Sequence, residues 1–266
     1  MTLSIIGLGL WNENSMTLEA LEEAKKCDKL YAEFYTAKLF GTTKEKLEEK
    51  IGKKIEELDR DKVENGAWMI EEAKTQKIGL LIVGDCMTAT THIELKLEAE
   101  NAGIETKTIF GTSIYTAAAG LCGLQIYKFG RSTSITFPDE RFQVRSHYDV
   151  IKKNQKDGLH TLCLLDIRDG KFMTANEGMK ILLEAGSLKL ETEEHASSIE
   201  RQASSHEFTE ETEVVVIARA GSEEPMVRFG KVKNLLNKDF GAPMHTIIVP
   251  GKLHFKEEEA LKKNEQ

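Results

Sequence analysis

The chain is short of cysteine, of long apolar runs and of excess positive charge, and each shortage closes off a class of protein. Its four cysteines, Cys27, Cys86, Cys122 and Cys163, stand far apart without a CxxC pair, so neither a zinc site nor a disulfide framework is indicated. Reduced thiols in a cytoplasm are the simpler reading. No uninterrupted apolar stretch reaches the ~20 residues that span a bilayer. Met1 runs straight into a strand pattern without a basic leader, so an untargeted protein with no membrane partner is expected. The net charge of -8 argues against general nucleic-acid binding, which calls for a basic surface. His195 and His206 fall in a stretch over 186–210 rich in Glu, Ser and Thr, with no defined carboxylate or cysteine partner, and no metal is expected there.

At 266 residues the chain exceeds a typical single domain and carries ample core for two modest domains or one large one. Residues 3–10 read as a buried strand ending in a glycine loop. A helix follows from about 15, with Leu18, Leu21 and Ala24 on one face. Further strands are expected over 29–36, 55–58 and 104–110, and helices over 44–50 and 66–76. Strand and helix thus alternate across the first ~110 residues, the mark of an open, largely parallel sheet.

The most informative stretch runs over 78–92. An apolar run of strand length ends on Gly84-Asp85, and a loop of small residues leads into a helical pattern from Ile93. Ligands of parallel sheets sit at the carboxyl ends of strands, which makes Asp85 and the threonines around it the first site candidates. The other reading of Asp85 is a loop residue bonding its own backbone. Gly7-Leu-Gly9 is half a dinucleotide fingerprint. The third glycine is missing, Asn12 standing in its place, and a tight turn that needs glycine for conformation alone competes with it. At 111–124 small residues crowd together. Thr112 or Ser113 caps a helix there, either leaving backbone N–H groups for a ligand carboxylate or doing no more than capping.

The second half continues the mixed pattern. Residues 127–138 read as a linker or a crossing strand, 148–155 as a helix and 159–167 as a strand. Thr174-Ala-Asn-Glu177 is a capping-box pattern opening a helix through Leu183. Strands follow at 213–221 and 244–251, and the tail after Phe255 reads as a charged helix free to fray. Lys128, Arg131, Arg141 and Arg145 form a loose basic cluster, suited to an acidic substrate or to plain solvated surface.

A series of strings in fixed order carries a family resemblance: Ile6-Gly-Leu-Gly-Leu10, Ala32-Glu-Phe-Tyr-Thr36, Ala89-Thr-Thr-His92, Ser113-Ile-Tyr115, Ile126-Tyr-Lys-Phe-Gly130, Gly158-Leu-His-Thr161, Met173-Thr-Ala-Asn-Glu177, Ala218-Arg-Ala-Gly-Ser222 and Val249-Pro-Gly-Lys-Leu-His254. Over nearly its whole length the chain resembles the diphthine synthase family, within the tetrapyrrole methylase-like group of S-adenosylmethionine-dependent enzymes. In one place it departs. The family typically reads Gly-Asp-Pro where Cys86 here follows Gly84-Asp85, and loss of the proline implies a less preorganised loop.

The resemblance implies an α/β fold of two α/β domains with mixed sheets, here 1–112 and 113–266, with the methyl donor in a cleft between them and a homodimer as the working unit. It implies S-adenosyl-L-methionine as donor, S-adenosyl-L-homocysteine as product and no metal. The implied substrate is translation elongation factor 2, at a histidine carrying an aminocarboxypropyl group whose amine is methylated. Carried over by motif, donor contacts are Leu10, Asp85, Thr88, Ser113 and Ile114 from the first half and Leu164, Ala220 and His245 from the second. A sulfonium donor with a carboxylate, a ribose and a flat adenine needs apolar walls and a few placed polar groups, which these residue types supply. His92, Tyr115 and His245 are titratable residues near these segments, and no catalytic base is singled out. Two other readings stay open: methylation of a small tetrapyrrole, and a catalytically silent donor-binding protein.

Overall fold

A computed structural model of the chain describes residues 1–35, 37–138, 146–193 and 207–265. The chain divides into two compact units, Met1–Ala117 with Gly221–Glu223, and Ala118–Ala220 with Glu224–Gln266. The expected division at 112/113 lies just before the helix Ile114–Cys122, within which the units divide.

The first unit is built on five parallel strands, β1 (Thr2–Gly7), β2 (Lys29–Glu33), β3 (Ile55–Leu58), β4 (Ile78–Ile82) and β5 (Glu105–Ile109), in the order β3-β2-β4-β1-β5. Between them run α1 (Leu18–Lys26), α2 (Lys44–Ile51), α3 (Arg60–Glu64), α4 (Ala67–Ala73) and α5 (His92–Asn101). The inner strands β1 and β4 are buried on both sides because helices cover both sides, whereas β3 and β5 at the edges carry exposed charged residues. Leu3, Ile5, Ile78 and Leu80 pack with Met69, Ile70, Leu95 and Ala99, whereas Ile6 and Leu81 pack with Ala20, Ala24, Leu47 and Ile51. Thr17 and Thr43 cap α1 and α2 as their short polar side chains predict, and Gly52, at φ 80°, ends α2 in the left-handed region. The helix expected over 66–76 is α4, and a further short helix, α3, precedes it. Asp59 caps α3 by accepting from the Lys62 amide at 2.9 Å, and α4 starts afresh after Gly66.

In the second unit α6 (Ile114–Cys122) is followed by a sheet of β6 (Thr133–Ile135), β7 (Thr161–Leu165), β10 (Glu213–Ala218), β11 (Met226–Lys231) and β12 (His245–Val249), in the order β11-β10-β12-β7-β6. Its pairings are antiparallel except that of β6 with β7, so it is mixed. A small hairpin, β8 (Ile167–Arg168) with β9 (Lys171–Phe172), precedes a long helix, α8 (Ala175–Glu193). Also in this unit are α7 (Ser146–Lys156), α9 (Val232–Leu235) and α10 (Phe255–Lys262). Ile135, Cys163, Val214, Val216, Ile247 and Val249 of the sheet share one core with Tyr148 and Ile151 of α7 and Met179 and Leu182 of α8.

The tail expected to fray is anchored instead. Glu257 of α10 is fully buried, and its carboxylate accepts from the Gln125 amide (2.8 Å), the His254 amide (2.8 Å), His160 Nε2 (3.0 Å) and the Lys128 ammonium. Burial opposes its charge, and Lys128 with the other donors more than offsets that, bringing its pKa down to about 2. Lys128 is thereby removed from the expected basic cluster, Arg131 is exposed, and Arg141, Arg145, His195 and His206 lie outside the described residues. All four cysteines are buried and unpaired. Burial pushes the thiols of Cys27, Cys86 and Cys122 up to about 11 and that of Cys163 higher still. Among the described residues no helix is long and apolar enough to cross a membrane, and no three His, Cys, Asp or Glu side chains are grouped to hold a metal.

Candidate active site

At the carboxyl ends of β1, β4 and β5 the backbone comes together without side chains between. A Cβ on Gly7 would lie 2.6 Å from the Gly111 nitrogen and 2.8 Å from the Gly84 oxygen, and one on Gly111 would lie 2.2 Å from that oxygen. Gly9 and Gly84 exchange backbone hydrogen bonds of 3.0 and 2.7 Å. Gly9, at φ 77°, turns the chain so that its bare α-carbon rests on Ser15. The half-fingerprint Gly7-Leu-Gly9 is therefore explained by close approach and turning, the conformational reading of the sequence. Beside Gly84, itself buried and at φ 80°, a Cβ would meet only the Thr112 oxygen, at 4.0 Å, an ordinary contact distance.

Asp85 organises the loop that leaves β4. One oxygen accepts from the Met87 amide (3.0 Å) and the Thr88 hydroxyl (2.8 Å), and the other accepts from the Gly111 amide (3.1 Å). The self-bonding reading of Asp85 is thus what its side chain does, and it ties the loop to the end of β5 as well. Cys86, expected to loosen the loop, fastens it. Its buried Sγ donates toward the carbonyls of Ile5 (3.4 Å) and Ile109 (3.3 Å), inserting between β1 and β5. Ala89 holds the left-handed φ of 55°, a conformation a residue with a Cβ adopts at a cost. Beyond it, His92 is buried, with Nδ1 2.6 Å from Thr90 Oγ1 and 3.3 Å from the Cys86 oxygen, and burial holds its pKa below the usual histidine value.

Ser113 caps α6, its hydroxyl accepting from the Tyr115 amide at 3.2 Å, and Ile114 follows half-buried in the first turn. Leu10 is half-buried just after Gly9, with its Cβ 3.0 Å from where a Cβ on Gly221 would stand. The structure therefore brings Leu10, Asp85, Thr88, Ser113 and Ile114 together on three loops at one end of one sheet.

The other three predicted residues share one end of the second sheet. His245 opens β12 opposite Ala218, Leu164 on β7 pairs with Thr246, and Ala220 follows Arg219, whose amide donates to the Met244 oxygen at 3.1 Å. Arg219 also carries a left-handed φ, of 54°, and its guanidinium donates to the Phe240 oxygen at 2.8 Å. His245 is spent structurally. Its Nδ1 accepts from the Ala175 amide at 3.2 Å, so the proton is on Nε2, which donates to the oxygens of Gly241 and Ala242, both at 3.2 Å. Burial keeps the ring neutral by lowering its pKa, and these two carbonyls only partly oppose that.

A sequence profile of the tetrapyrrole (corrin/porphyrin) methylases matches residues 2–236. The chain belongs to the tetrapyrrole methylase family. Among its relatives, a diphthine synthase of Methanocaldococcus jannaschii is 53% identical over 265 residues, covering 98% of this chain and 97% of that one. A diphthine synthase of Methanococcus maripaludis is 51% identical over 263 residues, with the same coverage. In three dimensions, a crystal structure of diphthine synthase matches with a TM-score of 0.86 at 36% identity, over 100% of this chain and 96% of that one. A putative diphthine synthase from Entamoeba histolytica matches at 0.84 and 37%, over 100% and 98%. For this methylase, sequence reasoning missed the three-glycine contact, the left-handed Ala89 and Arg219, and the Thr90–His92 pair. Glycines at the ends of two successive strand patterns were the available signal for the first. Nothing local marks the others.

Proposed function

We propose that the chain is an S-adenosyl-L-methionine-dependent N-methyltransferase of diphthamide biosynthesis, methylating the amino group of the aminocarboxypropyl-modified histidine of translation elongation factor 2 to give diphthine. The observation that carries this reading is the likeness to diphthine synthases, which spans 98% of the chain at 53% identity. The donor contacts in this reading are Leu10, Asp85, Thr88, Ser113 and Ile114 in the first unit, with Leu164, Ala220 and His245 in the second. The first group fits such a molecule. Leu10 and Ile114 are half-buried apolar side chains suited to the adenine or the alkyl chain, and the glycines at these strand ends leave backbone groups without side chains over them. Asp85 and Ser113 already hold their own loops, so their contribution is placement of backbone donors and acceptors. No metal takes part, the working unit is a homodimer, and four buried thiols suit the reducing cytoplasm.

S-adenosylmethionine when bound supplies a methyl group on a positive sulfur, already joined to its leaving group. The protein's share is to align a neutral amine with that methyl, in line with the sulfur, and to keep water away. A loop fixed by Asp85 and Cys86 provides such alignment without reorganisation during the reaction.

The test is the mass of purified elongation factor 2 bearing the aminocarboxypropyl-histidine after incubation with this protein and the donor. Additions in steps of one methyl, confined to that histidine, are expected, with S-adenosyl-L-homocysteine as co-product. Transfer to a porphyrinogen alone would replace this reading with tetrapyrrole methylation, and donor binding by calorimetry without any transfer would make the chain a silent binder.

A further inference from the structure

An alkylamine is an ammonium at neutral pH and has no lone pair to attack a methyl group until it gives up a proton. Something near the strand-end loops must accept that proton. His245 is committed to backbone at both ring nitrogens, His160 holds Glu257 and the Gly251 amide, and His254 caps α10. His92 is the one histidine of the first unit, and it stands at the end of the loop that Asp85 organises.

Its surroundings accommodate both states of the ring. In the neutral ring with its hydrogen on Nε2, the Nδ1 lone pair accepts a hydrogen bond from the Thr90 hydroxyl across 2.6 Å. In the protonated ring the Nδ1 hydrogen has two acceptors in place, Thr90 Oγ1 and the Cys86 carbonyl at 3.3 Å. His92 is 4% exposed and Thr90 half-buried, so the hydroxyl is the more accessible member of the pair. The left-handed turn at Ala89 sets Thr90 in this place.

We propose that Thr90 and His92 form a proton relay for the substrate amine, with Thr90 touching the ammonium and His92 storing the proton. This rests on the N-methyltransferase reading above. The ammonium N–H bond breaks and its proton joins Thr90 Oγ1 as the hydroxyl proton moves to His92 Nδ1. The freed nitrogen pair forms the N–CH3 bond, and the C–S bond breaks with its electrons going to sulfur, leaving neutral S-adenosylhomocysteine. His92 then returns its proton to solvent.

Among the described residues no charged side chain contributes to the ring's shift. Helix α5 packs on α4 and β5. On α4, Glu71 pairs with Lys74, and Glu72 with Lys29 and Tyr31. On β5, Glu105 accepts from Thr2 and Lys107 pairs with Glu23. On α5 itself Lys96 pairs with Glu100, while Glu94 and Glu98 are the remaining acids. Asp85 is held by the loop. Burial lowers the ring's proton affinity, which leaves it unprotonated at pH 7.

The experiment follows methyl transfer to the aminocarboxypropyl-histidine form of elongation factor 2 between pH 5.5 and 9.5, alongside donor calorimetry, thermal melting and NMR titration of the His92 imidazole. The wild type is expected to show an acid limb below about pH 6.5 and a plateau above it. In His92→Asn the rate at pH 7 falls and then climbs about tenfold per pH unit as free amine accumulates, with donor affinity and melting unchanged. Thr90→Val gives the same profile and shifts the His92 titration, and Thr90→Ser recovers the plateau. A plateau retained in His92→Asn overturns the relay, as does a rate loss that merely parallels lost donor affinity or melting. If His92→Asn does not fold, the Thr90 variants decide alone. Failure of the wild type to transfer any methyl removes the methyltransferase reading, and the relay with it.

Discussion

Asp85 and Glu257 are both carboxylates with several hydrogen-bond donors, yet one is half-buried and the other is sealed. Glu257 has no exposed surface and gathers Gln125, Lys128, His160 and His254 around it, so every donor it meets belongs to its own unit. Asp85 is half-buried and binds three loop donors, so part of it stays open to solvent. The count of hydrogen bonds does not separate a staple from a site. What separates them is whether the residue is sealed or left partly open.

Breaking the staple should give the largest effect. Glu257→Ala leaves Lys128 and two amides without their buried acceptor and is expected to cost about 3–5 kcal/mol in urea unfolding, with α10 losing amide-exchange protection first. A loss under about 1 kcal/mol would show that the network is incidental. On the other side, Gly7→Ala drives a Cβ into the backbone of Gly111 and Gly84, with an expected loss of about 1–3 kcal/mol and weakened donor binding by calorimetry. Asp85→Asn turns an amide group toward the Gly111 N–H or its loop partners. A fall in donor affinity of about tenfold, about 1.4 kcal/mol, is expected with a smaller change in melting, since the loop rather than the core is disturbed. Equal losses in both would place Asp85 with the staples. Smallest is Gly120→Ala in α6, where nothing lies within 4 Å of the added methyl, and a gain of about 0.5–1 kcal/mol in stability is expected.

Acid distinguishes the two regions again. His92, His147, His160 and His245 are all kept below the ordinary histidine value by burial. The unfolded chain takes up protons near pH 6.5 that the folded chain refuses, so stability is full above that pH and declines as pH falls below it. Glu257, lowered to about 2 from 4.5, adds a second decline from about pH 4.5 down toward 2. Urea midpoints measured from pH 8 to pH 3 should fall in these two stages, and Glu257→Ala should show a smaller lower one, since Glu23, Glu72, Glu177 and Glu211 are lowered as well. A midpoint flat between pH 7 and 5 would contradict the histidine contribution.

Much of the first unit was legible because its inner strands β1 and β4 are apolar and several turns carry glycine or a capping residue. The runs at 3–10 and 78–84 could be read as buried parallel strands, and the loop after Gly84 as the place for a site. Asp85 showed the limit. Its residue type fitted both ligand contact and self-bonding, and only the position of Gly111, 26 residues on, revealed what its second oxygen does. Cys86 was misread for a similar reason, since its anchoring carbonyls, Ile5 and Ile109, are remote in sequence. In the second unit β11 was missed, because Met226–Lys231 mixes charge with apolar residues and takes its strand character from pairing with β10. Charge alone suggested a fraying tail. The partner that buries Glu257 lies 97 residues upstream, at His160.

The burial of all four thiols has a practical side. With pKa values near 11 or above and no exposure to speak of, none is available as a thiolate to an alkylating reagent while the chain is folded. A maleimide should leave the native protein unlabelled and mark it only as it opens. Any cysteine placed on its surface would then be the sole point of attachment for a dye or spin label, with no need to remove the natural ones first.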